Sequence, residues 1–370
     1  MIASAVHCLW RDPQQANPFH TGICLHGHTM HSEECLSFLP RYLHSVPGIS
    51  QIASHYERGP KRADFARAYW TPPLSPASAL KLEREQILGL GLQPVVSLTD
   101  HDSVEAGISL QVTADPAQVP VSVEWTVPYR RSILHLGMHN LPPQGARGWM
   151  ERMAQYTAAP DETKLRSILR DFAAIPETLI VFNHPFWLEE GVEAGDHQRA
   201  LEHFLPESLA WIHAFELNGT RPWKENGDVI GLARTWSRPV ISGGDRHASE
   251  PAACINLTNA RSFAEFAAEI RAGCSSVLFL PQYREPMAVR VLEAAWDILK
   301  PYPEYPGRER WTDRCFYRPE SGEPKSLAEL WGNRVPLPLQ GATAVIQFFA
   351  TSKLRLALRS FLAERGEMLS

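Results

Sequence analysis

The sequence contains no C-x-x-C pair, and its six cysteines stand apart at positions 8, 24, 35, 254, 274 and 315. That scatter excludes a zinc ribbon and offers no disulfide framework, which fits a reducing compartment. Positive charge is not in excess: 36 Lys and Arg face 41 Asp and Glu, for a net charge of -5. No global field draws in nucleic-acid backbones, so a nucleic-acid duplex is not expected as a partner. No window approaches the ~18 apolar residues of a membrane span. The opening MIASAVHCLWRDPQQ has neither the basic start nor the apolar core of an export leader. The expectation is a cytoplasmic protein without a membrane partner. No Walker loop and no G-x-S-x-G elbow occurs either, so neither a phosphate-cradling loop nor a serine nucleophile is indicated.

The composition is 44% hydrophobic, enough for a large core, and 30 prolines point to many loops. A chain of 370 residues suits one α/β barrel carrying insertions. Apolar strands are predicted at 21–28, 94–100, 120–124, 132–138, 178–184, 212–217 and 239–243. Helices are predicted at 78–90, with Leu80, Ile87 and Leu88 on one face, at 162–175 and near 263–272. This alternation predicts a parallel sheet, closed or open, with helices outside it. Residues 36–77 read as a long insertion, and its Arg58, Lys61, Arg62 and Arg67 are expected on the rim of a pocket. After residue 285 the polar motifs stop; helices near 287–299 and 343–365 are expected to dock on the main domain.

Chemistry-bearing side chains recur where the predicted strands end. His26 and His28 flank Gly27, so on an extended segment both imidazoles share a face. Thr99-Asp100-His101-Asp102 follows VVSL, Glu124 ends VSV, His135 lies in ILHLG, His184 follows LIVFN and Asp245-Arg246-His247 follows VISGG. Ligands at successive strand ends mark an active site on the carboxyl face of a barrel. Asp100 and Asp102 read either as orienting ligand imidazoles or as capping the next helix. Asn218 reads as a group near the metals or as a turn residue. Arg246 is a candidate for a phosphoryl oxygen, although alternation turns it away from its neighbours. Trp125, Trp187 and Trp223 are candidates for stacking on a substrate ring or for packing.

The run HGHTMHSEE resembles the first motif of the polymerase-and-histidinol-phosphatase (PHP) family, and LTDHDS the second. The later Glu, H-L-G, N-H-P and G-G-D-R-H segments are similar to the remaining motifs, in the family's order, across residues 22–275. The resemblance implies an α/β fold, a distorted (β/α)7 barrel over residues 1–285, followed by a helical extension over 286–370. It implies two to three divalent ions, zinc, manganese or iron. His26, His28, Glu124 and Asp245 would surround one ion, Glu124 would bridge to a second completed by His135 and His184, and Glu33, His101 and His247 would hold a third. Two departures stand out: Cys24 where the family commonly has Asp, and Glu33 where relatives often have Asp or His.

The function this implies is a metal-dependent phosphoesterase acting on a small phosphomonoester, a nucleotide or sugar phosphate. Glu124, Asp245 and Arg246 would be the catalytic residues, with a hydroxide bridging two metals as nucleophile. Phosphodiester or cyclic-phosphate hydrolysis, amidohydrolase chemistry and a non-catalytic metal-binding module are the alternatives. The sequence carries no signal for oligomeric state.

Overall fold

In a computed structural model of the chain, residues 3–36, 67–332 and 334–350 are described. The first strands are β1 (Ala3–Cys8), β2 (Thr21–Cys24), β3 (Glu34–Cys35), β4 (Ala68–Trp70) and β5 (Gln93–Val96). They are followed by β6 (Val123–Tyr129), β7 (Ser132–His139), β8 (Leu179–Asn183), β9 (Ala214–Asn218) and β10 (Val240–Gly243). The last are β11 (Cys254–Thr258), β12 (Cys274–Phe279), β13 (Cys315–Tyr317) and β14 (Lys325–Ser326).

The chain divides into two compact units, one from Met1–Ser32 and Leu74–Glu285, the other from Glu33–Pro73 and Pro286–Met368. The first is mixed α/β. It holds two five-stranded sheets, β1-β12-β11-β2-β5 and β10-β9-β8-β7-β6. The ladders do not fuse into one closed barrel. The described contacts between the sheets include two isolated parallel bridges, His101 to Glu124 and Gly27 to Arg246, with Ser97 Oγ donating to Ser122 Oγ at 2.7 Å.

The sheets are also not purely parallel. β6 and β7 form an antiparallel hairpin from Val123–Met138 to Tyr129–Ser132, and β7 pairs antiparallel with β8. The turn is Arg130-Arg131, with Arg130 at φ 55°. That left-handed conformation usually selects Gly or Asn, so the sequence does not advertise it.

The helices follow their apolar spacing. Glu162–Ala173 is capped by Asp161, whose side chain accepts from the Lys164 amide, and it buries Leu165, Ile168, Leu169 and Phe172. Phe263–Arg271 is capped by Ser262 and buries Phe263, Phe266, Ala267 and Ile270, packing them on Ile23, Leu25 and Val95 beneath the strand ends that carry the site. Pro76–Gly89 buries Leu80 and Ile87 but leaves Leu88 50% exposed. Leu88 lies about 100° round the helix from Ile87 and so leaves the buried face.

In the second unit, β14-β13-β4-β3 form a four-stranded sheet. Segment 33–73 thus pairs with the C-terminal part of the chain through Cys315–Trp70 and Tyr317–Ala68. Leu36, Trp70 and Cys315 form its small core. Arg58, Lys61 and Arg62, and the terminal helix beyond residue 350, lie outside the described residues; Arg67 stacks on Tyr317. Among the described residues, no helix is long and apolar enough to cross a membrane.

Candidate metal centre

β2 carries its last residue, Cys24, straight into His26 and His28, which are buried with Glu124. One ligand atom from each of His26, His28 and Glu124 lies within 4.8 Å of the others, and the same holds for Glu124, His135 and His184. Glu124 belongs to both groups and presents a different oxygen to each. Its Oε2 is 2.8 Å from His26 Nε2 and 3.4 Å from His28 Nε2. Its Oε1 is 3.0 Å from His184 Nε2 and accepts from Asn183 Nδ2 at 2.9 Å. The hairpin places it there: Glu124 near the start of β6 faces β7, which carries His135.

Asp245 closes the first group. Its Oδ1 is 3.5 Å from His28 Nε2, 3.7 Å from His26 Nε2 and 3.4 Å from His247 Nδ1. Its Oδ2 accepts from Asn218 Nδ2 at 3.1 Å and Thr220 Oγ1 at 2.9 Å, which fixes the carboxylate plane and leaves Oδ1 for the centre. His184 and Asp245 both have positive φ, 25° and 48°. Such a conformation is costly for residues with a Cβ and recurs where a site over-determines the backbone.

A third group adjoins the first. His101 and His247 each stack on His28, with ring centroids 4.9 and 4.2 Å away, and one ligand atom from each of the three lies within 4.8 Å of the others. Ser32 Oγ contacts His28 Nδ1 at 3.2 Å and accepts from the His101 amide at 3.0 Å, tying two of these rings together. Glu33 belongs to the second unit, where its carboxylate pairs with the Arg318 guanidinium.

Arg246 sits where alternation predicts. It is buried, with Nε donating to Glu83 Oε1 at 2.8 Å, Nη1 to the Ala248 carbonyl and Nη2 to the His28 carbonyl. The expected catalytic guanidinium is therefore turned away from the donor cluster and bonded to other groups. Asp100 accepts from the Thr29 amide and hydroxyl, and Asp102 from the Thr126 amide. Trp125 is fully buried against Tyr156, and Trp223 packs edge-on to Phe279.

Glu216, in the middle of β9, is a residue that sequence reasoning passed over. Its Oε1 accepts from His26 Nδ1 at 2.5 Å, and its Oε2 accepts from the His184 amide at 2.8 Å and Asn218 Nδ2 at 3.1 Å. It thus braces both halves of the centre. A Cβ at Gly243 on the neighbouring strand would fall 1.6 Å from Glu216 Oε1, so glycine there makes room for the carboxylate. The available signal was a buried acid in an apolar strand, two residues before Asn218.

The electrostatics are those of a cation site. Burial works against charge on Glu124, yet His26, His101 and a hydrogen bond from His184 hold its pKa well below the usual range. Burial is likewise outweighed at Asp245, chiefly by His247 and His26. For His26, burial favours the neutral ring, but Glu124, Glu216 and Asp245 together push its pKa well up. A proton on His26 thus supplies positive charge that this carboxylate set calls for. His135 goes the other way: burial, aided by neighbouring histidines and opposed by Glu124, holds it neutral with a lone pair to give. Mixed imidazole and carboxylate donors of this kind suit zinc, manganese or iron.

No family model matches the chain, and no curated protein does. Solved structures that resemble it include PsfC from Pseudomonas syringae PB-5123, at 14% identity and TM-score 0.35 over 56% of this chain and 83% of that one. An amidohydrolase from Chromobacterium violaceum, solved with sulfate and no metal, matches at 14% identity and TM-score 0.33 over 61% and 87%. A protein assigned as a metal-dependent phosphoesterase, from Bifidobacterium adolescentis, matches at 11% and 0.34 over 54% and 92%. Likenesses this low carry no functional argument.

Proposed function

We propose that this protein is a metal-dependent phosphoesterase of PHP type that hydrolyses a small-molecule phosphomonoester. The observation that carries the reading is the division of Glu124 between two buried donor groups, with Oε2 toward His26 and His28 and Oε1 toward His184. A carboxylate split in this way is suited to two cations held side by side. His26, His28, Glu124 and Asp245 would hold one ion and Glu124, His135 and His184 a second, with His101 and His247 available to a third. Bound divalent ions would supply Lewis acidity, lowering the pKa of water toward neutrality and neutralising phosphoryl oxygens. The chain's own residues do the rest: Glu216 and Ser32 orient the imidazoles, and Asn218 and Thr220 fix Asp245. In this reading β2, β5 and β6 to β10 are the seven strands of an opened barrel, a view supported by the two bridges that link the sheets.

The test is metal analysis of purified protein combined with a panel of phosphomonoesters, phosphodiesters, cyclic phosphates and amides. Two to three equivalents of Zn, Mn or Fe, with turnover of monoesters that chelator abolishes, is the expected result. Full hydrolytic activity in metal-free protein would defeat it. Preferential turnover of diesters or amides would move the substrate class while leaving the centre in place.

A further inference from the structure

Arg221, unlike Arg246, has its guanidinium beside a carboxylate of the donor cluster. It follows β9 in the loop Asn218-Gly219-Thr220-Arg221, which is pinned at several points. Thr220 Oγ1 donates to Asp245 Oδ2 at 2.9 Å, the Thr220 amide donates to Asn218 Oδ1 at 2.8 Å, and the Arg221 carbonyl accepts from the Tyr283 hydroxyl at 2.9 Å. Gly219 lets the loop pass close to β10, because a Cβ there would lie 3.1 Å from the Gly244 carbonyl oxygen. The side chain is held as firmly as the backbone. Its Cζ stands 3.7 Å from the centroid of the Trp187 ring, a close cation-π stack. The indole is itself tied down, its N–H donating to Glu189 Oε1 at 2.9 Å.

The guanidinium is thus oriented and mostly buried, with side-chain exposure of 17%, and it lies beside the metal-ligand carboxylate, Nη2 being 3.6 Å from Asp245 Oδ2. Nε is 3.9 Å from Glu225 Oε1. Both separations exceed hydrogen-bond length, and neither Arg221 Nε nor Glu225 Oε1 has a hydrogen-bond partner among the described residues. Buried arginine N–H groups ordinarily find acceptors. Here the protein stacks the group on an indole at the edge of a cation site and leaves its Nε without a hydrogen-bond partner among the described residues.

We propose that Arg221, braced by Trp187, is the substrate-binding residue that takes a non-bridging phosphoryl oxygen. The planar fork can offer two parallel N–H donors to one tetrahedral oxyanion. The anion would then be held from two sides, by cations bound at the donor cluster and by Arg221, both of which adjoin Asp245. The inference rests on the phosphoesterase reading and adds a specificity residue to it.

The experiment is calorimetric titration of inorganic phosphate into full-length protein loaded with Mn2+, for wild type, Arg221→Gln, Arg221→Lys and Trp187→Leu, with metal content measured on each. We expect all four to retain the same metal equivalents. Phosphate Kd should rise at least 30-fold in Arg221→Gln, and by less in Arg221→Lys, which keeps the charge but loses the fork. It should rise about 5-fold in Trp187→Leu, which keeps the charge and loses the brace. If Arg221→Gln fails to fold, the remaining two variants carry the test. Phosphate Kd within twofold of wild type in the folded variants overturns the role of Arg221 and leaves the phosphoesterase reading standing. Metal-loaded wild type that binds no phosphate removes that reading, and Arg221's role with it.

Discussion

His26 Nδ1 and Glu216 Oε1 lie 2.5 Å apart in the buried centre, and this contact fixes the orientation of the ring. With Nδ1 donating to Glu216, Nε2 is the nitrogen that faces Glu124 and His28, and it would give its lone pair to a bound cation once that cation displaces the Nε2 proton. Outer partners of this kind typically contribute 10–100-fold to metal affinity. Glu216→Gln is therefore expected to weaken binding of the first metal equivalent by about that factor. Gly243→Ala should do the same from the neighbouring strand by driving the carboxylate out of place. Competitive chelator titration of the folded variants is the measurement, and unchanged affinity in both would show that the contact orients nothing.

Glu124 is the one side chain shared by both buried donor groups. Removing its charge leaves two cations facing each other without the anionic bridge. Glu124→Gln should lose at least one metal equivalent and lower kcat by about 10³-fold, roughly 4 kcal/mol of transition-state stabilisation. Glu33→Gln, whose parent carboxylate pairs with Arg318 in the second unit, should retain both properties. The reverse ordering, a dead Glu33→Gln beside a near-normal Glu124→Gln, would require the centre to be redrawn.

Arg246 and Glu83 form a buried ion pair at 2.8 Å, with side chains 2% and 1% exposed. Burial raises the Glu83 pKa, and Arg246 opposes that shift. Arg246→Met strands the acid and two carbonyls, and losing one partner of such a pair costs roughly 3–5 kcal/mol. Restoring the balance with Glu83→Leu in the same chain should recover part of that loss. Urea unfolding decides the matter: a variant with native stability but depressed kcat/KM would return Arg246 to the substrate.

How much of this was readable in the sequence depended on whether a residue announces itself locally. His26, His28, Glu124 and His184 stand at or next to the ends of apolar runs, and the structure brings their ligand atoms together. The hairpin that delivers Glu124 and His135 was hidden, because Arg130-Arg131 is not a recognisable turn pair and Pro128 sits inside β6. Glu216 was hidden for another reason. Its role comes from contacts with His26 and His184, distant in sequence, which spacing along one strand cannot reveal. Arg246 shows the converse: alternation gives the direction of its side chain, toward Glu83 and two carbonyls, while its two flanking ligands suggest a role at the substrate. Segment 33–73 carries no local sign that β4 pairs with β13, some 245 residues later.

A neutral histidine outside the donor cluster ties stability to pH. His139, at the end of β7, is 1% exposed, and its Nδ1 lies 2.9 Å from Ser97 Oγ. Burial, helped by the charge on His26 and opposed by Glu124, lowers its pKa to about 3. In the unfolded chain the ring should titrate near the ordinary value of about 6.5. Above that value neither state binds the proton, and the buried ring has no linkage cost. As pH falls from about 6.5 toward 3, the unfolded chain takes up a proton that the folded protein refuses, so stability is progressively lost at up to about 1.4 kcal/mol per pH unit. His139→Asn can place an amide where Nδ1 stood beside Ser97 without titrating. It should be less stable than wild type at pH 7, yet lose less between pH 6.5 and 4.5, corresponding to about one proton fewer taken up on unfolding. Comparing the two proteins in chelator by urea unfolding across that range cancels the titration of the shared groups. Equal slopes for the two would mean that His139 is charged in the folded protein, and that the Ser97 contact accommodates an imidazolium.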